Sequence, residues 1–190
     1  MIRLRTMGCL AVAALLSGCG AWIPVSDPGL TVSSDRHGST QQRGDVSVTV
    51  RTKAWREEPY QVLLRYVFPL YVLVRNDGPG PVPFDPVDIV VLDEENNLYR
   101  PIPPERLEQI MSTPPPYPDG MLHPMVMPPP PPFYSFDFAA TLSGLTAGEV
   151  EARTQVRGPV FFPLTMIYAR HLTVRVPVAG EIFEFRFRAR

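Results

Sequence analysis

Apolar and polar residues alternate with a period of two in several stretches of this 190-residue chain. Alternation of this kind is typical of β-strands with one buried face, because successive side chains of a strand point to opposite faces. Three valines share one face of DVSVTVRT (45–52), and three phenylalanines share one face of EIFEFRFRAR (181–190). The pattern predicts that these six side chains are buried: Val46, Val48, Val50, Phe183, Phe185 and Phe187.

Further strands follow from runs of β-branched and aromatic residues bounded by turn residues. The run QVLLRYVFPLYVLVRN (61–76) contains Pro69, which predicts an edge position or a bulge because proline cannot donate a ladder hydrogen bond. VDIVVLD and LYRPI, separated by EENN, predict a hairpin over 87–102. The remaining predicted strands are FYSFDF (133–138), GPVFFP (158–163) and LTVRVPV (172–178), the last followed by a turn at Ala179-Gly180.

Helix signals are few. PPERLEQIM (103–111) begins with two prolines and an acid and carries an apolar stripe, so it predicts one short helix. A second short helix is predicted to begin at Ala147. Proline then dominates, since 13 of the 24 prolines lie between residues 101 and 132. The segment 112–134 is therefore predicted to be a stiff insertion of polyproline II character.

Seven or eight short strands with turn-rich joints predict an all-β fold, an antiparallel immunoglobulin-like β-sandwich with one or two short helices over residues 45–190. A barrel is the alternative. Residues 19–44 are rich in serine, glycine, threonine and glutamine and hold no period for long, apart from a short ordered piece at 22–25. They are predicted to be a flexible tether, with a span of about 25–30 Å.

The first 18 residues have the features of a signal peptide. Arg3 and Arg5 precede an uncharged run, MGCLAVAALLSG, which is too short to cross a bilayer core as a helix. The run ends in LSGC at residues 16–19, which resembles the lipobox of bacterial lipoproteins. The resemblance implies cleavage before Cys19, a diacylglyceryl group on its sulfur and an acylated new amino group.

A lipid anchor on Cys19 would attach the protein to a membrane. In this family an Asp after the cysteine often retains the protein at the inner membrane, and Gly20 stands here instead. The resemblance therefore implies the outer membrane, facing the periplasm. A net charge of −1 gives no sign of a basic surface for nucleic acid. Cys9 and Cys19 are the two cysteines of the chain, so the mature domain is expected to have no disulfide.

Catalytic motifs are not assembled in the sequence. It contains no G-x-S-x-G elbow and no H-E-x-x-H pair, and its three histidines are far apart. The carboxylates at 93–95 are interpreted as a solvated hairpin tip. These features predict a protein that is not an enzyme and that contacts another component of the cell envelope.

The methionine-rich segment offers a second hypothesis. If MLHPMVM (121–127) is extended, four side chains point the same way: Met121, His123, Met125 and Met127. Thioethers and an imidazole suit Cu(I), so a copper-binding or small-ligand lipoprotein is the alternative function. The same methionines also suit packing beneath the insertion or contact with a partner.

The prolines and their aromatic neighbours form a candidate partner-binding segment. Preformed polyproline II loses little entropy when it docks into an aromatic groove, although it also serves as a rigid spacer. The residues assigned to this contact are Tyr117, Pro130, Phe133 and Tyr134. An exposed strand edge that pairs with a partner strand is the other surface we expect.

Overall fold

The computed structural model describes residues 22–52, 66–112 and 145–189. Within these residues, two five-stranded antiparallel sheets pack face to face, and a two-stranded ribbon lies beside them. The prediction of an all-β antiparallel sandwich is confirmed. The immunoglobulin-like assignment remains a prediction.

The described residues form twelve strands and one α-helix. Their bounds are β1 Trp22–Pro24, β2 Leu30–Val32, β3 Gly38–Arg43, β4 Val46–Arg51, β5 Val67–Asn76, β6 Val82–Phe84, β7 Val90–Asp93, β8 Leu98–Tyr99, α1 Pro104–Ser112, β9 Gly148–Val150, β10 Thr154–Pro163, β11 His171–Val178 and β12 Glu181–Ala189. Two 3₁₀ turns lie at Pro86–Asp88 and Leu164–Tyr168. The first sheet has the order β1-β12-β11-β7-β8, the second β10-β5-β4-β3-β2, and β6 pairs with β9.

The core lies between the two sheets, on the faces that the alternation predicts. Phe183, Phe185 and Phe187 of β12 are at most 1 % exposed, and Val48 and Val50 of β4 are fully buried. Val46, the third predicted valine, is half-buried and packs against the same cluster. The β12 phenylalanines therefore meet the inward face of the opposite sheet, which in β5 consists of Phe68, Leu70, Val72 and Val74.

Several predicted elements outside the core are confirmed. The helix over 103–111 is observed as α1, and its Leu107 packs with Val67 and Phe161 in a second, smaller cluster. The hairpin over 87–102 is β7–β8. Ala179 and Gly180 both have positive φ angles, 52° and 81°, as the two-residue turn between β11 and β12 requires.

The flexible tether predicted over 19–44 is wrong for residues 22–43, which form β1, β2 and β3. Composition misled the prediction, because β3 is ordered by backbone pairing with β2 and β4, and β1 by its pairing with β12 and by the burial of Trp22. The hydroxyls of Thr40 and Thr49 also form a cross-strand hydrogen bond of 2.8 Å. A polar strand can therefore be ordered where a partner strand satisfies its backbone.

Two smaller predictions are also corrected. The helix predicted from Ala147 is the strand β9, which pairs with β6 and buries Val150. A helix this short would gain too few hydrogen bonds to repay its nucleation, whereas β6 offers a ready partner. Pro69 lies within β5, which is a central strand between β10 and β4 and has no bulge at this point, but at Pro69 itself β5 pairs only with β10 among the described strands.

The register explains why β5 tolerates Pro69. The N–H of Asp77 donates to the carbonyl of Asp45, which directly precedes β4. Backbone groups of alternate residues in a strand point to the same side, so the odd-numbered residues of β5 point towards β4. Pro69 is odd-numbered and therefore points to the same side, but β4 ends at Arg51, which lies opposite Tyr71. The missing N–H therefore faces the region beyond the end of β4, and no ladder bond between the two strands is lost.

Candidate functional site

The predicted site residues lie outside the residues that the structure describes. This holds for the lipid-attachment residue, for the candidate copper ligands and for the candidate partner contacts: Cys19; Met121, His123, Met125 and Met127; and Tyr117, Pro130, Phe133 and Tyr134. Their roles stay predictions. The described residues do, however, define the surface that lies next to Cys19 in the chain.

Trp22 fixes the beginning of the described chain firmly in the sandwich. Its side chain is 4 % exposed and meets the ring of Phe68 edge to face, with the ring centroids 6.2 Å apart. Its backbone lies opposite Ala189 of β12, and its carbonyl accepts a 2.9 Å hydrogen bond from the Thr52 hydroxyl. We call this end of the sandwich, where Trp22 and Ala189 meet, the Trp22 end.

The 3₁₀ turn Leu164–Tyr168 lies at the Trp22 end. The carbonyl of Arg170, two residues beyond the turn, accepts a hydrogen bond of 2.9 Å from the N–H of Ala189. Met166 of the turn is fully buried, whereas Ile167 is 42 % and Tyr168 83 % exposed. The turn thus holds one apolar side chain in the core and leaves two others exposed to solvent.

The hairpin tip between β7 and β8 is organised around the carboxylate of Asp93. Its Oδ1 accepts the N–H groups of Glu95 and Asn97, both at 2.9 Å. Its Oδ2 accepts the Asn97 amide and the Tyr99 hydroxyl, both at 2.8 Å. Desolvation raises the pKa of Asp93, but these hydrogen bonds together outweigh it and the net pKa is lowered. The carboxylate therefore serves as the acceptor that shapes the turn.

Glu94 joins this hairpin tip to the Trp22 end. Its Oε1 and Oε2 both accept the N–H of Arg170 at 3.0 Å, and Oε2 also accepts the N–H of His171 at 3.1 Å. The hydrogen bond from Arg170 is the largest cause of a lowered pKa for Glu94. Sequence reasoning missed this contact, since 76 residues separate Glu94 from Arg170 and no local motif marks it.

We expect Glu94→Gln to destabilise the protein most at neutral pH. The folded-state pKa of Glu94 is lowered, so its carboxylate contributes stability above the ordinary glutamate pKa, and that contribution is lost as the pH falls through the folded value. The urea midpoints of the wild type and the variant should therefore differ at neutral pH and converge in strongly acidic buffer. Glu95→Gln, at the neighbouring exposed position, is the matched control. A difference that stays constant across the pH range would contradict the contact.

The described surface includes a larger and a smaller depression. The larger, about 460 Å³, lies beside the β6–β9 ribbon and includes Asp85 and Asp88 in its wall. The described residues that line it include no serine, cysteine or histidine. The smaller, about 70 Å³, is apolar and lies between α1 and β10, against Leu107 and Phe161.

The described part of the chain contains neither a metal-binding cluster nor a membrane-spanning helix. No group of three or more histidine, cysteine or carboxylate side chains within residues 22–52, 66–112 and 145–189 is placed to hold a metal ion. Within those ranges, no helix has the length and apolar character needed to cross a bilayer. Comparisons with models of protein families, with curated proteins and with solved structures give no match for this chain.

Proposed function

We propose that this protein is a non-enzymatic lipoprotein of the cell envelope, anchored through Cys19 at the outer membrane and facing the periplasm. In this function its β-sandwich is a module that contacts another envelope component. The observation that carries the proposal is LSGC at residues 16–19, placed after a basic start and an uncharged apolar run.

The residue types at this position suit lipid attachment. A thiolate is the strongest common side-chain nucleophile, and small residues before it give a peptidase access to the backbone. Each buried methylene of an acyl chain contributes ~0.8 kcal/mol, and two lipid signals already hold a protein stably at a membrane. The three chains implied by the lipobox would therefore make the attachment effectively permanent.

The outer edge of β10 is the described surface best suited to a partner strand. β10 is ten residues long and lies at the end of its sheet, paired only with β5 among the described strands. The carbonyl of Phe161 accepts a 2.7 Å hydrogen bond from the N–H of Ile102, so the backbone of Phe161 points outward. Arg157 and Gln155 are alternate residues of the same strand, so their backbone N–H and C=O groups also point away from β5. Both side chains are exposed.

Pro159 limits how far a partner strand could pair with this edge. It has the same outward parity as Phe161 and Arg157, so the edge lacks a donor at its centre. Proline at this position is a common protection of edge strands against uncontrolled pairing. The edge available to a partner is therefore the short stretch from Thr154 to Gly158, which suits a reversible contact.

The test of the anchor is Cys19→Ser in intact cells. We expect the wild-type protein to fractionate with membranes and to carry acyl chains at its mature N-terminus by mass spectrometry. The Cys19→Ser variant should lose the acyl chains and the membrane fractionation together. Cys9→Ser, within the apolar run, is the matched control and should change neither readout.

Unchanged processing and fractionation of Cys19→Ser would overturn the proposed function. The partner is sought in the same cells, with a photoreactive amino acid at Gln155 on the β10 edge and a comparison site at Arg175 on the outer face of the other sheet. Adducts that form from position 155 but not from 175, and that disappear with Cys19→Ser, would support a partner strand near the membrane.

A further inference from the structure

The distance from the lipid to the sandwich is short. Trp22 is the third residue after Cys19, and three residues span at most about 11 Å when fully extended. Because Trp22 is buried and paired with β12, it cannot move away from the sandwich to lengthen this connection. If Cys19 carries the lipid as proposed above, the Trp22 end must lie next to the membrane surface.

The side chains exposed at the Trp22 end suit that position. Tyr168 is 83 % exposed and is the most exposed large apolar side chain of the described residues, and Ile167 beside it is 42 % exposed. Tyrosine is enriched at the membrane–water interface, because its ring is apolar and its hydroxyl is polar. The buried Met166 holds the turn in place, so both side chains project from a fixed base.

The charges at this end are compatible with phospholipid headgroups. Arg170 and Arg188 are exposed, and neither forms an ion pair with any residue that the structure describes. A guanidinium group can hold a phosphate through two parallel hydrogen bonds. The nearby carboxylate of Glu94 already accepts the N–H groups of Arg170 and His171.

We propose that the Trp22 end is a membrane-contacting surface, with Ile167 and Tyr168 seated among phospholipid headgroups and Arg170 and Arg188 against lipid phosphates. This inference rests on the proposed lipid anchor and adds an orientation to it. The strands then stand on the membrane by the Trp22 end, and the Ala179–Gly180 turn points away from it. The partner of this surface is the phospholipid bilayer itself.

The experiment uses the full lipidated protein in phosphatidylethanolamine–phosphatidylglycerol vesicles that contain a headgroup-nitroxide lipid. A fluorophore is attached at Glu95→Cys on the hairpin tip, or at Ile182→Cys, which is 53 % exposed near the opposite end of β12. Seven residues of strand place position 182 about 23 Å from Ala189. In the lipidated protein Cys9 has been removed with the signal peptide and Cys19 is acylated, so the introduced cysteine is the one free thiol.

We expect nitroxide quenching at position 95 to be several-fold stronger than at position 182. Adding Ile167→Ser and Tyr168→Ser to the Glu95→Cys protein should reduce the quenching at position 95 at least two-fold, because the anchor alone leaves the sandwich free to tilt. Two results would refute the membrane-contacting surface if the protein still floats with the vesicles. One is equal quenching at positions 95 and 182, and the other is quenching at position 95 that the two serine substitutions leave unchanged. A protein that no longer floats with them would instead refute the anchor, and the membrane-contacting surface with it.

Discussion

Trp22→Ala is expected to lower the free energy of unfolding by about 3–5 kcal/mol, the range for truncating a large buried aromatic side chain. Trp22 is 4 % exposed and packs edge to face on Phe68 of the opposite sheet. The substitution leaves a cavity between the sheets at the point where β1 pairs with β12. Because small domains are stable by only about 5–15 kcal/mol, much of the variant should be unfolded in mild denaturant. Urea unfolding followed by circular dichroism measures the change.

Ser26→Ala provides the matched control for Trp22→Ala, because Ser26 belongs to the same segment and is exposed. We expect it to change stability by less than about 0.5 kcal/mol, as surface substitutions usually do. A Trp22→Ala protein as stable as the Ser26→Ala protein would mean that residues 22–43 behave as the tether their composition predicts. The comparison of the two variants therefore tests whether residues 22–43 form strands in solution or behave as a flexible tether.

Asn76→Ala is expected to cost about 2–4 kcal/mol, because it leaves several backbone groups without a partner in a buried place. Asn76 is 1 % exposed. Its amide nitrogen donates to the carbonyls of Gly80 (2.7 Å), Val150 (3.0 Å) and Glu151 (3.3 Å), and its Oδ1 accepts the N–H of Gly78 (2.9 Å). One side chain thereby joins the end of β5 to the turn that follows it and to β9.

Asn76→Asp separates the donors of this network from its acceptor. The aspartate keeps the side-chain volume and can still accept the Gly78 N–H, but it sets carboxylate oxygens against carbonyl oxygens. We expect it to be at least as destabilising as Asn76→Ala at neutral pH, whereas Asn97→Ala at the exposed hairpin tip should cost less than about 1 kcal/mol. An Asn76→Asp protein with wild-type stability would contradict the three donated hydrogen bonds. The urea midpoint is again the measurement.

The sequence predicts those parts of the fold in which side-chain chemistry repeats along the chain. The phenylalanines of β12 and the valines of β4 alternate with polar residues, so their period reveals both the strand and its buried face. The hairpin β7–β8 and the turn at Ala179–Gly180 were predictable for a similar reason, since turn residues separate apolar runs.

The strands that the sequence missed depend on backbone pairing with other strands. β3 reads GSTQQR, which carries no apolar period, and it is ordered because β4 and β2 satisfy its backbone on both sides. β1 is only three residues long and pairs with β12 at the other extreme of the chain. Backbone pairing of this kind leaves almost no trace in local composition, whereas a buried tryptophan such as Trp22 is a sign that a polar segment is not free.

The same limit applies to the candidate site. The proposal of Cys19 as a lipid-attachment residue depends on four consecutive residues, because a lipobox is a short stretch of chain. The Trp22 end could not be predicted in this way, because Tyr168, Arg170 and Glu94 come together through the packing of two separate connections, the one between β10 and β11 and the β7–β8 hairpin tip. Sequence reasoning therefore proposes a residue for lipid attachment, but it does not predict the surface at the Trp22 end.

The antiparallel pairing of β1 with β12 also determines how the sandwich would respond to mechanical tension. A pull on the chain from the side of Cys19 acts along the axis of β1, from Trp22 outwards, while the rest of the sandwich resists in the opposite direction. The hydrogen bonds between β1 and β12, together with the 2.8 Å bond from Val25 to Arg186, are then loaded in shear and share the force. A strand loaded in this way must break its bonds together rather than peel away one bond at a time.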